Sequence, residues 1–345
     1  MDYKKRAYII IGATVVFATV ILLLFLFKTT KLSINLPIDT HLFADYGVLV
    51  GGIATAILTI LNIFLLIQTL NDQRDNFNTL QSNFKIEQQE QKRNFDRGQI
   101  ESRFFELLKI HRENSNDITI KDRVGKKIFL SLQREFYQSL EIVNAAASLR
   151  TDKLAESEVI NISYLCFFFG AVGVNSERTI KENLKHYSDA KNPDFVSNLI
   201  TLFTQAQPRI KSDEKFDYNP FEGHQSRLGH YFRQLFQLVK YIDDQPKELL
   251  TYFDKYQYIK TLRAQLSTQE QTLLFFNSLS DLGKPWEKEV GLDENKKLIT
   301  KYNLIKNIPT GYIDNINIKT YYSQVHYEGD GKKTTDRQQL EANYN

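Results

Sequence analysis

The stretch YGVLVGGIATAILTILNIFLLIQTL, residues 46–70, decides the architecture of this chain because it contains no Asp, Glu, Lys or Arg. An α-helix rises about 1.5 Å per residue, so about twenty apolar residues cross the roughly 30 Å hydrocarbon core of a bilayer. The stretch is long enough for that crossing. It predicts a transmembrane helix over about residues 46–67.

A second apolar stretch lies closer to the N-terminus. YIIIGATVVFATVILLLFLF, residues 8–27, also lacks charged residues, and only a short connector separates it from the first stretch. The pair predicts an N-terminal two-helix transmembrane hairpin within residues 1–70. A cleaved signal peptide is the alternative for residues 8–27. The apolar region of a signal peptide, however, is usually shorter than this stretch and ends in a small-x-small cleavage site.

Basic residues around the two stretches predict an orientation. They are Lys4, Lys5 and Arg6 before the first stretch, Lys28 and Lys31 in the connector, and Arg74, Lys85, Lys92 and Arg93 after the second. Because Lys and Arg are enriched in the cytoplasmic segments next to membrane spans, both termini are predicted to be cytoplasmic. The two connector lysines weaken this bias.

Small and polar residues within the second stretch indicate a helix contact. Gly51 and Gly52 allow close approach of another backbone, and the amide of Asn62 would seek a polar partner in hydrocarbon. We predict that these three residues mark a membrane helix contact. The alternative is that Asn62 faces the other helix of its own hairpin.

Polar residues then follow the second stretch. Residues 68–102 contain no proline, and their first glycine is Gly98, so the helix is predicted to continue as a long helical stalk. A partial heptad repeat runs through its first half: Leu70, Phe77, Leu80 and Phe84. Such repeats pair in coiled coils, but Glu and Gln residues interrupt this one, so a solvated spacer is the alternative.

Residues 103–325 show helical periodicity nearly throughout and are predicted to form an all-α cytoplasmic domain. One apolar stripe consists of Ile128, Leu132, Phe136 and Leu140. ESEVINISYLCFFFGAVG, residues 156–173, is apolar on nearly all faces and predicts a buried central helix. The polar, glycine-containing residues 326–345 are predicted to be a disordered tail.

TLRAQLSTQEQTLLFFN, residues 261–277, holds several polar residues within an apolar frame. Ser267 is followed three residues later by Glu270 and then by an apolar run, which is the pattern of a capping box. In a capping box the serine hydroxyl accepts from the amide of the glutamate, and the carboxylate accepts from the amide of the serine. The stretch therefore predicts a joint between two helices.

The sequence offers little for catalysis. It has one cysteine, Cys166, in an apolar setting, and six histidines, and no spacing matches a metal-binding, nucleotide-binding or nucleophile motif. A net charge of +3 is too small to predict nucleic-acid binding. The sequence therefore predicts no catalytic residue, no metal and no cofactor.

Polar residues beside apolar stripes form the candidate site. They are His111, His230, Arg233, Arg263, Ser267 and Glu270. A buried guanidinium is costly unless it is paired, so each arginine is predicted to reach a carboxylate, a helix C-terminal carbonyl or an anionic ligand. Structural ion pairs and hydrogen-bonded core histidines are the favoured interpretation, and a ligand-binding or catalytic cluster is the alternative.

Three stretches resemble the phage abortive infection proteins, a bacterial family with an N-terminal membrane hairpin. They are RFFELLKIHRENSNDI (residues 103–118), GHYFRQLFQLVKYID (229–243) and YIKTLRAQLSTQEQTLLFFNSLSDLGK (258–284). The most specific part is R-A-Q-L-S-x-x-E at residues 263–270, and the two-span layout is similar to that of two-transmembrane retron effectors. The resemblance implies a multi-pass protein of the bacterial inner membrane that acts in antiphage defence. It supplies no catalytic residues.

The leading hypothesis is a membrane-anchored effector whose cytoplasmic domain senses a trigger and whose hairpin perturbs the bilayer. The expected partners are the lipid bilayer, further copies of the chain, and a trigger that is either a reverse transcriptase–noncoding RNA complex or a phage protein. One alternative is a membrane-tethered hydrolase or nuclease. Another is a regulatory scaffold that recruits the product of a neighbouring gene.

Overall fold

The structure, a computed structural model, describes residues 3–29, 40–121, 123–289, 291 and 293–344. These residues are mostly α-helical, as the sequence predicts. The helices are α1 (Tyr3–Thr29), α2 (Thr40–Asp117), α3 (Lys127–Ser148), α4 (Glu156–Phe169), α5 (Val174–Leu184), α6 (Phe195–Asp213), α7 (Gln225–Asp243), α8 (Tyr252–Arg263), α9 (Thr268–Leu279), α10 (Leu298–Tyr302), α11 (Ile318–Tyr321) and α12 (Thr335–Tyr344).

Short elements complete the described secondary structure. The 3-10 helices are Lys185–Tyr187, Asp281–Trp286, Glu294–Lys296 and Glu328–Asp330. Strands β1 (Thr119–Ile120) and β2 (Arg123–Val124) pair antiparallel directly after α2. This small hairpin is an addition to the all-α fold that the sequence predicts.

The chain divides into an N-terminal unit, Met1–Lys92, and a C-terminal unit, Arg93–Asn345, and the boundary falls within α2. In the N-terminal unit, α1 packs along the first turns of α2. The hydroxyl of Tyr46 donates to the carbonyl of Ala18 at 3.1 Å. The facing side chains are Thr14, Phe17 and Ile21 on α1 and Val50, Ile53, Ala54 and Ile57 on α2.

The N-terminal unit contains the apolar segments. Within the described residues, one helical segment, Ala44–Asp117, is long and apolar enough to cross a membrane, with a mean hydropathy of 2.4 in its most apolar window. Ile11–Leu24 of α1 is a shorter apolar segment. Most of the predicted connector between the two stretches, including Lys31, lies outside the described residues.

Helix α4 is at the centre of the C-terminal unit. It is buried from Val159 to Phe168 and packs against α3, α5, α7 and α9, which confirms the predicted buried central helix. Phe136 of α3 anchors this core, with its ring centroid 5.7 Å from Phe167 of α4 and 4.2 Å from Phe276 of α9. Burial also raises the pKa of the Cys166 thiol, which therefore stays protonated.

The C-terminal residues are folded, which differs from the disordered tail that the sequence predicts for residues 326–345. Helix α12 runs from Thr335 to Tyr344, and Arg337 on it is buried. The Arg337 guanidinium donates to the carbonyls of Thr300 at 2.8 Å and Gln324 at 3.0 Å. The composition of this segment is polar, but the buried guanidinium of Arg337 binds these backbone carbonyls and holds the segment on the domain.

Candidate functional site

The capping box at the start of α9 is present as predicted. The Ser267 hydroxyl accepts from the Glu270 amide at 3.2 Å, and Glu270 Oε2 accepts from the Ser267 amide at 2.7 Å. Helix α8 ends at Arg263 and α9 begins at Thr268. The stretch that suggested a cluster of reactive residues is therefore the joint between two helices.

Glu270 also joins distant helices of the C-terminal unit. Its second oxygen, Oε1, accepts from the Ser115 hydroxyl of α2 at 3.1 Å and from the Tyr231 hydroxyl of α7 at 2.9 Å. The side chain is only 1% exposed. Because both oxygens accept hydrogen bonds, the buried carboxyl group is satisfied and links three helices.

His111 is the neighbour of this carboxylate. Its ring centroid lies 5.0 Å from that of Tyr231, and it is buried. Burial lowers the pKa of His111 from 6.5 to about 4, although the negative charge of Glu270 acts in the opposite direction. The imidazole is therefore neutral near pH 7, and its Nδ1 has no hydrogen-bond partner within the described part of the chain.

Arg263 binds the end of another helix rather than a carboxylate. Its Nη1 donates to the carbonyls of Tyr302 at 3.0 Å and Asn303 at 3.1 Å, where α10 ends. Its Cζ lies 5.7 Å from the ring centroid of Tyr256. The sequence predicted a carboxylate, a helix C-terminal carbonyl or an anionic ligand as the partner of this arginine, and the structure shows the helix C-terminal carbonyl. A cation is also favoured there because it lies at the negative end of the helix dipole.

The other two candidate residues lie elsewhere. His230 and Arg233 are both exposed on α7, whereas the sequence suggested a hydrogen-bonded core histidine and a buried, paired arginine. The apolar stripe of α7 consists of their neighbours, and a helix turns by about 100° per residue, so adjacent positions face solvent. The six predicted residues therefore do not form one site.

A second buried carboxylate cluster was missed by the sequence analysis. Glu135 of α3 is fully buried, and it accepts from the Phe221 amide at 2.6 Å, the Tyr218 hydroxyl at 2.7 Å and Nε2 of His224 at 2.9 Å. One sequence signal could have indicated it. Glu135 is three residues after Leu132 and so falls on the apolar stripe of α3, where a carboxylate must find partners.

Two glycines bring the loop that carries these partners against the end of α4. Gly170 has φ +91°, and a Cβ there would lie 2.6 Å from the carbonyl oxygen of Glu222. Gly223 has φ +94°, and a Cβ there would lie 2.5 Å from the carbonyl oxygen of Phe169. Only glycine fits such an approach, so the Glu135 cluster depends on this local backbone.

Both buried clusters hold carboxylates that are saturated by hydrogen bonds. Within the described ranges, no group of three or more His, Cys, Asp and Glu side chains could hold a metal ion. The histidine of each cluster packs against an aromatic ring, His111 on Tyr231 and His224 on Phe167 at 4.9 Å. Their geometry suits the positioning of helices.

A concave surface lies beside Arg233, and we call it the aromatic groove. Its volume is about 340 Å³. Its lining residues are Phe168, Phe169, Gln225, Leu228, Gly229, Phe232, Arg233, Phe236, Asn277, Leu282, Pro285 and Trp286. The Asn277 amide fixes one wall, because it donates to the Tyr164 hydroxyl at 3.0 Å and accepts from Trp286 Nε1 at 3.2 Å.

The predicted contact residues of the N-terminal unit lie on its surface. Gly51, Gly52 and Asn62 are exposed, and a Cβ added at either glycine would meet no atom of the described residues within 4 Å. The residues that face α1 are others, such as Val50 and Ala54. The small-residue surface is therefore open to a further helix.

Comparison with known protein families shows a match in the C-terminal unit. Residues 223–313 match the model of the family described as "Putative phage abortive infection protein". The matched part begins just before α7 and includes α8, α9 and α10, with Arg263 and the Ser267–Glu270 capping box. This agrees with the resemblance noted in the sequence. No curated protein and no solved structure matches the chain significantly.

Proposed function

We propose that this chain is a membrane-anchored effector of bacterial abortive infection, in which the C-terminal unit senses a trigger and the N-terminal unit perturbs the inner membrane. The observation that carries the proposal is the family match at residues 223–313. The matched segment lies entirely in the C-terminal unit. The N-terminal unit adds the apolar segments that an anchor needs.

Exposed apolar side chains support the membrane part of the proposal. Val48 is 77% exposed and Ile60 is 68% exposed, and Leu24 and Phe27 on α1 are also exposed. Soluble proteins rarely expose large contiguous apolar surfaces, whereas a helix in a bilayer satisfies its backbone internally and presents apolar side chains to lipid. We propose that α1 and the apolar part of α2 form a transmembrane hairpin with both termini in the cytoplasm.

The surface beyond the apolar part of α2 supports self-association. The heptad residues Leu70, Phe77, Leu80 and Phe84 are all exposed. A stripe of this spacing is typical of helices that pair with other helices, and the open surface at Gly51 and Gly52 would allow close approach within the bilayer. We propose that copies of the chain associate through this face, with residues 68–102 as a helical stalk.

The polar clusters of the C-terminal unit support a sensing role more than an enzymatic one. Glu270 and Glu135 are buried and saturated by hydrogen bonds. Such networks fix the arrangement of helices. The trigger that this unit would detect is a phage protein or a reverse transcriptase–noncoding RNA complex. Supplying each of these alone to cells that produce the chain would distinguish the two triggers.

The test is the membrane potential of infected cells. Bacteria that produce the chain are infected with a panel of phages, and a voltage-sensitive dye and a membrane-impermeant dye are followed together. In cells that produce the chain and are protected, we expect depolarisation before phage release. In cells without the chain, infection with the same phages should cause no such depolarisation. Protection with an intact membrane potential would contradict the proposal and favour a tethered hydrolase or a scaffold.

A further inference from the structure

We propose that the aromatic groove is the docking site for a short segment of a partner protein in which an acidic residue adjoins a bulky apolar residue. This inference rests on the proposed function, because the segment would be the signal that the C-terminal unit detects. All lining residues except Phe168 and Phe169 fall within the segment that matches the family model. The shape, charge and hydrogen-bonding capacity of the groove support the proposal.

The walls of the groove are aromatic. The rings of Phe236 and Trp286 meet edge to face, with centroids 5.0 Å apart and an interplanar angle of 88°. The rings of Phe168 and Phe169 do the same at 5.1 Å and 86°. Edge-to-face packing holds these rings in fixed positions around the groove. The volume of about 340 Å³ lies within the range of ligand pockets, about 300–1,000 Å³, and suits one or two bulky side chains.

Arg233 gives the groove its charge. It is the only ionisable side chain among the described residues that line the groove, and it is exposed. Among the described residues, the structure shows no hydrogen bond or ion pair to its guanidinium, unlike Arg263 and Arg337, which each bind backbone carbonyls. A guanidinium at an apolar edge binds a carboxylate through two parallel hydrogen bonds. The occupant is therefore acidic beside its apolar group.

Gln225 distinguishes a peptide from an acyl chain. The residue lines the groove and is exposed. A glutamine amide both donates and accepts, which matches the N–H and C=O of a peptide backbone. The tail of a fatty acid offers no partner for it. Grooves that bind extended peptides combine aromatic walls and a few polar groups in the same way.

Gly229 supplies a matched pair of variants. It lies in α7, and an added Cβ would be 3.7 Å from Phe168 Cζ and 3.8 Å from Arg233 Nη2, which is ordinary contact. Gly229→Ala is therefore expected to fit and leave the groove open. Gly229→Leu would place three further carbon atoms in the groove. Arg233→Glu reverses the charge at an exposed position and leaves the walls unchanged.

The experiment uses the full-length protein in nanodiscs and a random heptapeptide display library. We expect the bound peptides to be enriched in Asp or Glu next to Phe, Trp or Leu. A synthetic enriched peptide without tryptophan should change the fluorescence of Trp286, the only tryptophan of the chain. Gly229→Leu and Arg233→Glu should each weaken this binding by about tenfold or more, and Gly229→Ala should leave it within about twofold.

Several results would overturn the proposal. They are an absence of enriched peptides, enrichment of basic or uncharged peptides, and binding that survives both Gly229→Leu and Arg233→Glu. A change in Trp286 fluorescence on addition of decanoate, without peptide enrichment, would assign the groove to acyl chains. If Gly229→Leu does not fold, Arg233→Glu alone decides the result.

Different experimental results would contradict this inference and the proposed function. If infected cells depolarise equally with the wild-type chain and with Arg233→Glu, the groove is not the sensing site, and the effector proposal still stands. If protection occurs without depolarisation, the effector proposal fails whatever the groove binds.

Discussion

The two units of the chain place apolar and polar groups in opposite ways. In the N-terminal unit, large apolar side chains such as Val48 and Ile60 are exposed. In the C-terminal unit, carboxylates such as Glu135 and Glu270 are buried. Both of these buried carboxyl groups accept their hydrogen bonds from donors within the C-terminal unit. The N-terminal arrangement is stable only where an apolar surrounding covers it.

The difference teaches that the two units should be sensitive to different kinds of substitution. Removing a buried polar group should destabilise the C-terminal unit, because the groups that were hydrogen-bonded to it stay buried without a partner. Adding a charge to the apolar surface should change where the N-terminal unit resides. Trp286 is buried in the C-terminal unit, so its fluorescence reports the unfolding of that unit alone.

The largest effect on stability is expected for Glu270→Ala. The change removes the Glu270 half of the capping box and leaves the hydroxyls of Ser115 and Tyr231 without their acceptor, which should cost about 4 kcal/mol. Denaturant unfolding of the full-length protein in detergent, followed by Trp286 fluorescence, measures the loss. Glu289→Ala, at an exposed position, is the control and should change stability by less than about 0.5 kcal/mol. Equal stability of the two variants would contradict the tertiary role of Glu270.

Ile60→Arg tests the other unit. An arginine near the centre of a membrane helix costs about 3 kcal/mol on insertion, so fewer chains should resist extraction with alkaline carbonate. The unfolding midpoint reported by Trp286 should stay at the wild-type value. Ile60→Leu is the matched control. If the arginine instead shifts the Trp286 midpoint and leaves extraction unchanged, the exposed apolar surface is not a membrane surface.

A pH dependence of stability is expected from His111. Its pKa is lowered to about 4 in the folded protein, against about 6.5 when unfolded. Between these values the unfolded chain binds the proton and the folded chain does not, so stability falls as the pH falls. The loss from pH 7 to pH 5 should be about 2 kcal/mol. The measurement compares unfolding of wild type and His111→Leu over this range, and parallel pH profiles would exclude His111 as the cause.

The smallest effect is expected for Ser267→Ala. The variant loses one N-cap hydroxyl, which should cost about 1 kcal/mol, whereas Ser267→Thr keeps the cap and should cost less. Protection against phage should then follow stability in both variants. Loss of protection by Ser267→Ala at unchanged stability would show that this hydroxyl has a chemical role.

Sequence reasoning reached the features that depend on neighbours along the chain. The capping box could be predicted because Ser267 and Glu270 are three residues apart. The buried character of α4 could be predicted because apolar residues cover all of its faces. These contacts need no knowledge of the tertiary arrangement.

Contacts between distant residues could not be predicted in the same way. Arg263 binds carbonyls 39 and 40 residues later, and Glu135 binds His224, 89 residues later. Arg337 docks α12 by contacts with carbonyls of α10, and the polar composition of the tail gives no sign of it. Sequence patterns indicated that such groups need partners, but the fold decides which partners they find.

The most direct test of the account replaces residues 3–70 with an unrelated two-span membrane anchor of similar length. If the N-terminal unit itself perturbs the bilayer, the exchanged protein should reside in the membrane and keep the Trp286 unfolding midpoint, but infected cells should neither depolarise nor be protected. Full protection by the exchanged protein would contradict the account, because the membrane segment would then be only a tether and the C-terminal unit would carry the activity.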